Sequence, residues 1–260
     1  EAIDRINVYP VADNDTGSNL LHTMRAALAA LLDLPKESTA GSVSTALAKG
    51  ALTEARGNSG VIVSQFLRGL AESLGDAETI TGPGLREALV RGAELARAAV
   101  SAPVLGTMLT VLDVAASVAP GSLASVAREA AALAAEALER TPRQLPVLAA
   151  AGVVDAGGRG VVVLFDALVA VVSGDSAALS AARVAAVEPE YSLVTHREGG
   201  SEQYSYEVMY LLEGSTNSAA VLREALYDLG DCVSVVGGED LWTVPAFRSE
   251  ERRVGKECRS

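Results

Sequence analysis

Cationic residues are in short supply in this chain. Lys and Arg number 21 against 33 Asp and Glu, for a formal net charge of −12 over 260 residues. Nucleic acid is bound through a cationic footprint, and anionic membrane surfaces attract polybasic segments, so the balance excludes both as partners. Cysteine is nearly absent: Cys232 and Cys258 form neither a disulfide framework nor a CxxC site. Aromatic residues are only 4% of the chain, so the core has to be built from aliphatic side chains. No basic segment followed by an apolar one opens the sequence, so no signal peptide is read. The apolar run Gly160–Val172 contains Asp166 and is shorter than the roughly 20 residues a membrane span needs. These absences predict a cytoplasmic, reducing location and no direct membrane insertion.

What the chain does have is aliphatic residues, chiefly Ala and Val, within a hydrophobic share of 49%. Ala-rich periodic segments favour helices that pack closely. From Gly17 to about Ser173, apolar stripes at helical spacing alternate with Gly, Pro and Ser punctuation. Leu20, Leu21, Met24, Leu28 and Leu31–Leu32 form the first. Others begin at Val43, run over Val61–Leu70, Leu85–Val100, Met108–Val118 and Leu123–Leu138, then Leu145–Ala150 and Val161–Val172. The connections are short, so successive helices should run antiparallel. Several segments are apolar nearly all round, which predicts a large bundle.

Residues 175–201 read as a linker, with Glu188-Pro189-Glu190 and the polar stretch around His196. Beyond it the pattern changes to strand (Tyr206–Leu212), amphipathic helix (Ser218–Leu229) and two more strands (Val233–Val236, Leu241–Val244). The predicted organisation is therefore a helical domain over 1–174 and a truncated α+β domain over 202–247. Residues 248–260 carry eight charges in thirteen positions and break with the Ala/Val style before them. They match the in-frame translation of a common short-read sequencing adapter, so the expectation is read-through and not native protein. Setting aside their five cations and three anions moves the net charge from −12 to −14 and leaves Cys232 as the native thiol.

The most informative stretch is Asn7-Val-Tyr-Pro-Val-Ala-Asp13-Asn14-Asp15-Thr16-Gly17-Ser18-Asn19. Side chains at i and i+2 of an extended segment point the same way, so Asp13 and Asp15 can converge on one hard cation. Magnesium takes one or two carboxylates and leaves its other positions to water and phosphate. The Thr-Gly-Ser-Asn that follows opens a helix whose N–H groups can face an anion. The competing reading is an Asx-rich turn with a helix cap and no ligand.

Three more polar turns open helices. Arg56-Gly57-Asn58-Ser59-Gly60 reads either as a phosphate turn or as a capped helix–helix turn. Gly106-Thr107-Met-Leu-Thr110 places hydroxyls at a helix start, where ordinary capping by Thr107 competes with ligand contact. Gly152-Val-Val-Asp155-Ala-Gly157-Gly158-Arg-Gly160 puts an acid in a turn, and its alternative is an Asp cap with close glycine packing. His22 lies in the first helical stripe and His196 in the linker, so no His-centred dyad is read.

In this order the four blocks resemble the DAK2/DhaL-like kinase domain family. That family includes the ATP-binding subunit of bacterial fatty-acid kinase and, more distantly, the nucleotide-binding subunit of dihydroxyacetone kinase. The matching pieces are Asn7-Val-Tyr-Pro-Val-x-Asp-x-Asp-Thr-Gly, Ala55-Arg-Gly-Asn-Ser-Gly-Val-Ile, Gly106-Thr-x-Leu-Thr-Val, Thr141-Pro-x-x-Leu-Pro-Val-Leu and Ala151-Gly-Val-Val-Asp-Ala-Gly-Gly. The resemblance implies an antiparallel, barrel-like bundle of eight helices with nucleotide at one end. It also implies a first helix ahead of the acidic loop, which these residues do not contain.

Carried over by position, Asp13 and Asp15 would hold Mg2+ on the phosphates of ATP (or ADP), with Asn7 as a third ligand. Thr16, Gly17, Ser18 and Asn19 would line the phosphate end. Gly57, Asn58, Ser59 and Gly60 would form the second phosphate turn, with Thr107 and Thr110 nearby. Asp155 and Gly157 would sit near the base or ribose. The implied reaction is phosphoryl transfer to a fatty-acid carboxylate presented by a DegV-type fatty-acid-binding protein, giving acyl phosphate. A homodimer is compatible with it. The alternatives are the nucleotide-binding part of a dihydroxyacetone-type kinase or a non-catalytic nucleotide-binding scaffold. The family pattern is broken at Asn14 (usually Gly), Ala12 (usually Pro), Glu54 (commonly Gly) and Leu105 (commonly Glu), none of them a predicted ligand.

Overall fold

A computed structural model describes residues 1–10, 12–100, 102–174, 206–227, 235–238 and 241–248. The expectations for His196, Cys232, Cys258, the linker and the strand start at Val233 lie outside these residues. So does the charged C-terminal segment beyond Arg248.

The chain opens with a 3-10 turn, Asp4–Ile6. Eight α-helices follow in the first 174 residues: α1 Thr16–Ala29, α2 Ala40–Thr53, α3 Gly57–Leu74, α4 Gly82–Ala98, α5 Met108–Ala115, α6 Leu123–Gln144, α7 Pro146–Ala151 and α8 Ala156–Ser173. The mainly helical bundle is the predicted one, and each apolar stripe finds its helix.

Side-chain caps start several of these helices. Thr39 accepts the Ser42 amide, Thr81 the Gly84 amide and Ser122 the Ser125 amide. Capping of this kind satisfies amides that the helix itself leaves orphaned, at about 1 kcal/mol each. Near the end of α6, Pro142 lacks the N–H that would reach Leu138 O. The Thr141 hydroxyl donates to that carbonyl instead, at 2.7 Å.

Aliphatic residues fill the core, as the shortage of aromatics requires. Leu89, Val111, Leu112, Val126 and Val161 are all at most 2% exposed. Phe66 and Phe165 meet edge to face with ring centroids 6.2 Å apart. Small residues set the spacing. Ala127, Ala130 and Ala134 on α6 are fully buried. A Cβ at Gly69 of α3 would fall 2.5 Å from the backbone of Arg91 and Gly92 on α4.

By length and composition α8 could cross a membrane. Its 18 residues extend the apolar run beyond the span read from sequence, yet Val161, Val162 and Phe165 belong to the bundle core.

Up-and-down connectivity decides where the site lies. The starts of α1, α3, α5 and α8 and the ends of α2, α4 and α6 all come to one end of the bundle. Close packing agrees with the arrangement. Gly57 at the start of α3 abuts Asn19 of α1, Gly106 ahead of α5 abuts Gln144 and Leu145 at the end of α6, and Gly157 of α8 abuts Met108 of α5. The four polar turns read from sequence therefore share that end.

From Tyr206 on, strands β1 (Tyr206–Glu213), β2 (Val236–Gly238) and β3 (Leu241–Arg248) form a sheet in the order β1-β3-β2, both pairs antiparallel. Helix α9, Thr216–Tyr227, packs Ala219 and Leu226 on Trp242 and Val244. Strand alternation turns Thr243 to the other face, where its hydroxyl donates to Leu52 O at the end of α2, 3.0 Å away. The small α+β unit thus touches the bundle at the end where the four turns meet.

Candidate functional site

The acidic loop is held from below by an apolar cluster. Ile6, Val8 and Tyr9 pack on Leu145, Leu148 and Val153 at the corner between α6 and α8. Asn14 then takes the left-handed backbone conformation, with φ 56°. Asn tolerates this better than most residues with a Cβ, so it can stand in for glycine.

The turn brings Asp13 and Asp15 within hydrogen-bonding range of each other. Partial burial of the Asp13 carboxyl, together with its contact with and repulsion by Asp15, pushes it up to about 6. Asn7, only 3% exposed, donates its Nδ2 to Asp13 Oδ1 at 2.5 Å. The other end of that amide, Asn7 Oδ1, is buried with no hydrogen-bond partner. A buried acceptor without a donor costs about 1–3 kcal/mol. Two neighbouring carboxylates, and an orphaned oxygen on the amide that touches one of them, are all oxygen donors, the kind a hard divalent cation takes.

Helix α1 begins directly beyond. Its N-cap is Asp15, which makes no side-chain cap. The Ser18 amide is held instead by Asp4 Oδ1 at 2.9 Å, and the Ser18 hydroxyl donates to Asp4 Oδ2 at 3.0 Å. Asp4 carries no signal in the sequence beyond being an acid upstream of the loop. Burial alone would raise its carboxyl, but the hydrogen bonds from the Ser18 amide and hydroxyl act against it, and the carboxyl lies below the usual carboxylate range.

The second glycine turn lies against the first. The Arg56 amide donates to Thr23 Oγ1 at 3.3 Å, and Thr23 is fully buried within α1. Gly57 has φ +58°, a conformation that favours glycine. Asn58 and Ser59 are half-buried, and their side chains take no hydrogen bond from the described residues. His22 Nε2 is 3.5 Å from Glu54 Oε2, at the edge of this turn and not at the acidic pair.

The third and fourth turns are occupied by the fold itself. Thr107 Oγ1 donates to Val104 O, so it does not cap α5. Thr110 is 8% exposed and accepts the Gly106 amide at 3.0 Å. Asp155 is 5% exposed and caps α8 by accepting the Gly158 amide at 2.7 Å; it also accepts the Met108 amide at the start of α5. Desolvation pushes its carboxyl up to about 6 against those two amides. The Asp155 amide in turn donates to Thr141 Oγ1 at 3.1 Å. Gly157 sits beneath Met108, where a Cβ would be 3.0 Å from its side chain.

The predicted residues therefore divide in two. Asp13, Asp15, Thr16, Asn19, Asn58 and Ser59 lie in the two turns that open α1 and α3, whereas the side chains of Ser18, Thr107, Thr110 and Asp155 are engaged in hydrogen bonds of the fold itself, and of these four only Asp155 links two helices.

Residues 10–170 match the DAK2 domain, and residues 203–245 match the middle domain of FakA-like fatty acid kinase proteins. The chain belongs to the DAK2 domain family. It is 33% identical to Protein YloV of Bacillus subtilis (strain 168) over 273 aligned residues, covering 97% of this chain and 48% of that protein. It is 32% identical to an uncharacterized protein of Staphylococcus saprophyticus over 93% of this chain and 46% of the relative. An uncharacterized protein of Staphylococcus aureus (strain USA300) is 30% identical over the same shares, 93% and 46%. The chain spans about half the length of the curated relatives it matches. Family membership supports a nucleotide-binding kinase-domain role for the DAK2 region.

Proposed function

We propose that this chain binds Mg2+ and ATP at the shared end of the bundle and supports phosphoryl transfer to a fatty-acid carboxylate presented by a DegV-type fatty-acid-binding partner, giving acyl phosphate. The observation that carries the metal site is the orphaned, buried Asn7 Oδ1 beside the Asp13–Asp15 pair. A cation there would supply the missing partner and relieve the repulsion between the carboxylates. Asp13, Asp15 and Asn7 Oδ1 would hold it. When bound, magnesium neutralises charge on the phosphates.

The protein's own part is positioning, which dominates phosphoryl transfer. The side chains of Thr16, Asn19, Asn58 and Ser59 and the backbone amides that open α3 suit phosphate oxygens. An acceptor carboxylate is already ionised at neutral pH, so no general base is required, in keeping with the position of His22 away from the acidic pair. What favours the acyl acceptor over dihydroxyacetone is the match of residues 203–245 to the FakA-like middle domain of fatty acid kinase proteins. In this reading the protein works in the cytoplasm, where ATP is available, and a homodimer is compatible with it.

The test incubates the full chain with Mg2+, ATP and a lipid-loaded DegV-type protein and looks for acyl phosphate. Formation of that product supports the reading. Bound ATP without product would favour a nucleotide-binding scaffold, and transfer to dihydroxyacetone through a partner protein would select the other kinase branch.

A further inference from the structure

An Asp at a helix N-cap ordinarily spends its carboxylate on the amide of the second or third helical residue. Asp15 is the N-cap of α1 and makes no such bond. Counting from Thr16, the third amide is that of Ser18, and Asp4 holds it from outside the helix, with the Ser18 hydroxyl on its second oxygen. The fold makes room for this. A Cβ at Gly17 would lie 2.9 Å from both Asp4 Oδ1 and Ile3 Cβ, so only glycine lets the 3-10 turn come so close to the helix start. The turn then ends at Asn7, whose amide donates to Asp4 O at 3.2 Å. Asp4 at the helix and the unpartnered Asn7 Oδ1 at the acidic pair are therefore fixed by one short segment.

We propose that Asp4 is a positioning residue: it takes over the capping of α1 and so leaves the Asp15 carboxylate available, with Asp13 and Asn7, to hold the divalent cation. This rests on the metal site proposed above. Without Asp4, the exposed Ser18 amide sits in the normal place to recruit the Asp15 carboxylate, and cap and cation compete for the same oxygens.

The experiment is a Mg2+ titration of ATP binding, followed by calorimetry on the full chain, for the wild type, Asp4→Ala and Asp4→Asn. Asp4→Ala should raise the Mg2+ concentration needed for half-maximal binding by about tenfold, the worth of one capping bond. Asp4→Asn keeps an acceptor for the amide while removing the charge, and should stay within about threefold of wild type. Equal loss in both variants would show that Asp4 acts through its charge alone and would overturn the proposal. So would unchanged Mg2+ dependence in Asp4→Ala. Should Asp4→Ala not fold, amide hydrogen exchange at Ser18 in the wild type decides. Protection that is the same with and without Mg2+ and ADP supports capping by Asp4. Protection that falls on adding Mg2+ and ADP assigns the cap to Asp15 and overturns it. Failure of the wild type to bind Mg2+ with ATP would count against the proposed function, and is distinguishable from these outcomes.

Discussion

Gly57 lies directly against Asn19: a Cβ on it would fall 2.5 Å from Asn19 Nδ2, and its φ is +58°. The start of α3 and the first turn of α1 are therefore packed with no space for a side chain between the two polar turns. Gly57→Ala should lower stability by roughly 1–2 kcal/mol, since it adds strain at positive φ to the steric conflict. It should also weaken ATP binding, because Asn19 must move. Thermal unfolding and an ATP titration check both effects, and an unchanged variant would show that the two turns are not rigidly joined.

A second prediction concerns the corner of α5, α6 and α8. The Thr141 hydroxyl donates to Leu138 O and accepts the Asp155 amide, and the residue is fully buried. Thr141→Val keeps the shape and deletes both bonds, leaving a buried carbonyl and a buried amide unpaired. The expected loss is about 2–4 kcal/mol, read by denaturant unfolding. A loss below about 0.5 kcal/mol would mean that the corner relaxes or admits water.

Asp155 gives a pH dependence with a definite sign. Its carboxyl is raised to about 6 from its ordinary value of 3.8, chiefly by desolvation and against the Gly158 and Met108 amides. The folded state thus binds the proton more tightly than the unfolded state. The contribution favouring the fold is fully present below about pH 3.8 and is lost as pH rises through about 6. Wild type should gain on Asp155→Asn by roughly 1–1.5 kcal/mol as the pH falls from about 7.5 to about 5. Denaturant unfolding of both proteins across that range checks it. A constant difference would place the Asp155 titration outside the window.

Much of this arrangement is legible in the sequence because its signals are local. Each apolar stripe is one face of one helix, and each glycine turn lies within about ten consecutive residues. The left-handed conformation of Asn14 is foreseeable for the same reason. What joins distant segments is not legible. Asp4 reaches Ser18 across fourteen positions with no motif between them. Thr23 reads as an ordinary mid-helix residue until Arg56, 33 positions on, donates to it. The capping expected of Asp155 is present, but its second amide, Met108, comes from another helix. Thr107 reads as a hydroxyl cap, yet its oxygen turns back to Val104 O. Strand β2 gives almost no signal: two of its three residues are glycine, so alternation has nothing to act on.

In the function proposed above, nucleotide recruitment to this end of the bundle rests on Asp13, Asp15 and Asn7 holding a cation. The direct measurement is ATP binding with and without Mg2+ to the full chain and to Asp13→Asn and Asp15→Asn, with folding verified by circular dichroism. Wild type should bind ATP in a Mg2+-dependent manner. Each variant, still folded, should lose the Mg2+ dependence together with at least about tenfold in affinity. Mg2+-dependent ATP binding that survives both substitutions would contradict the site.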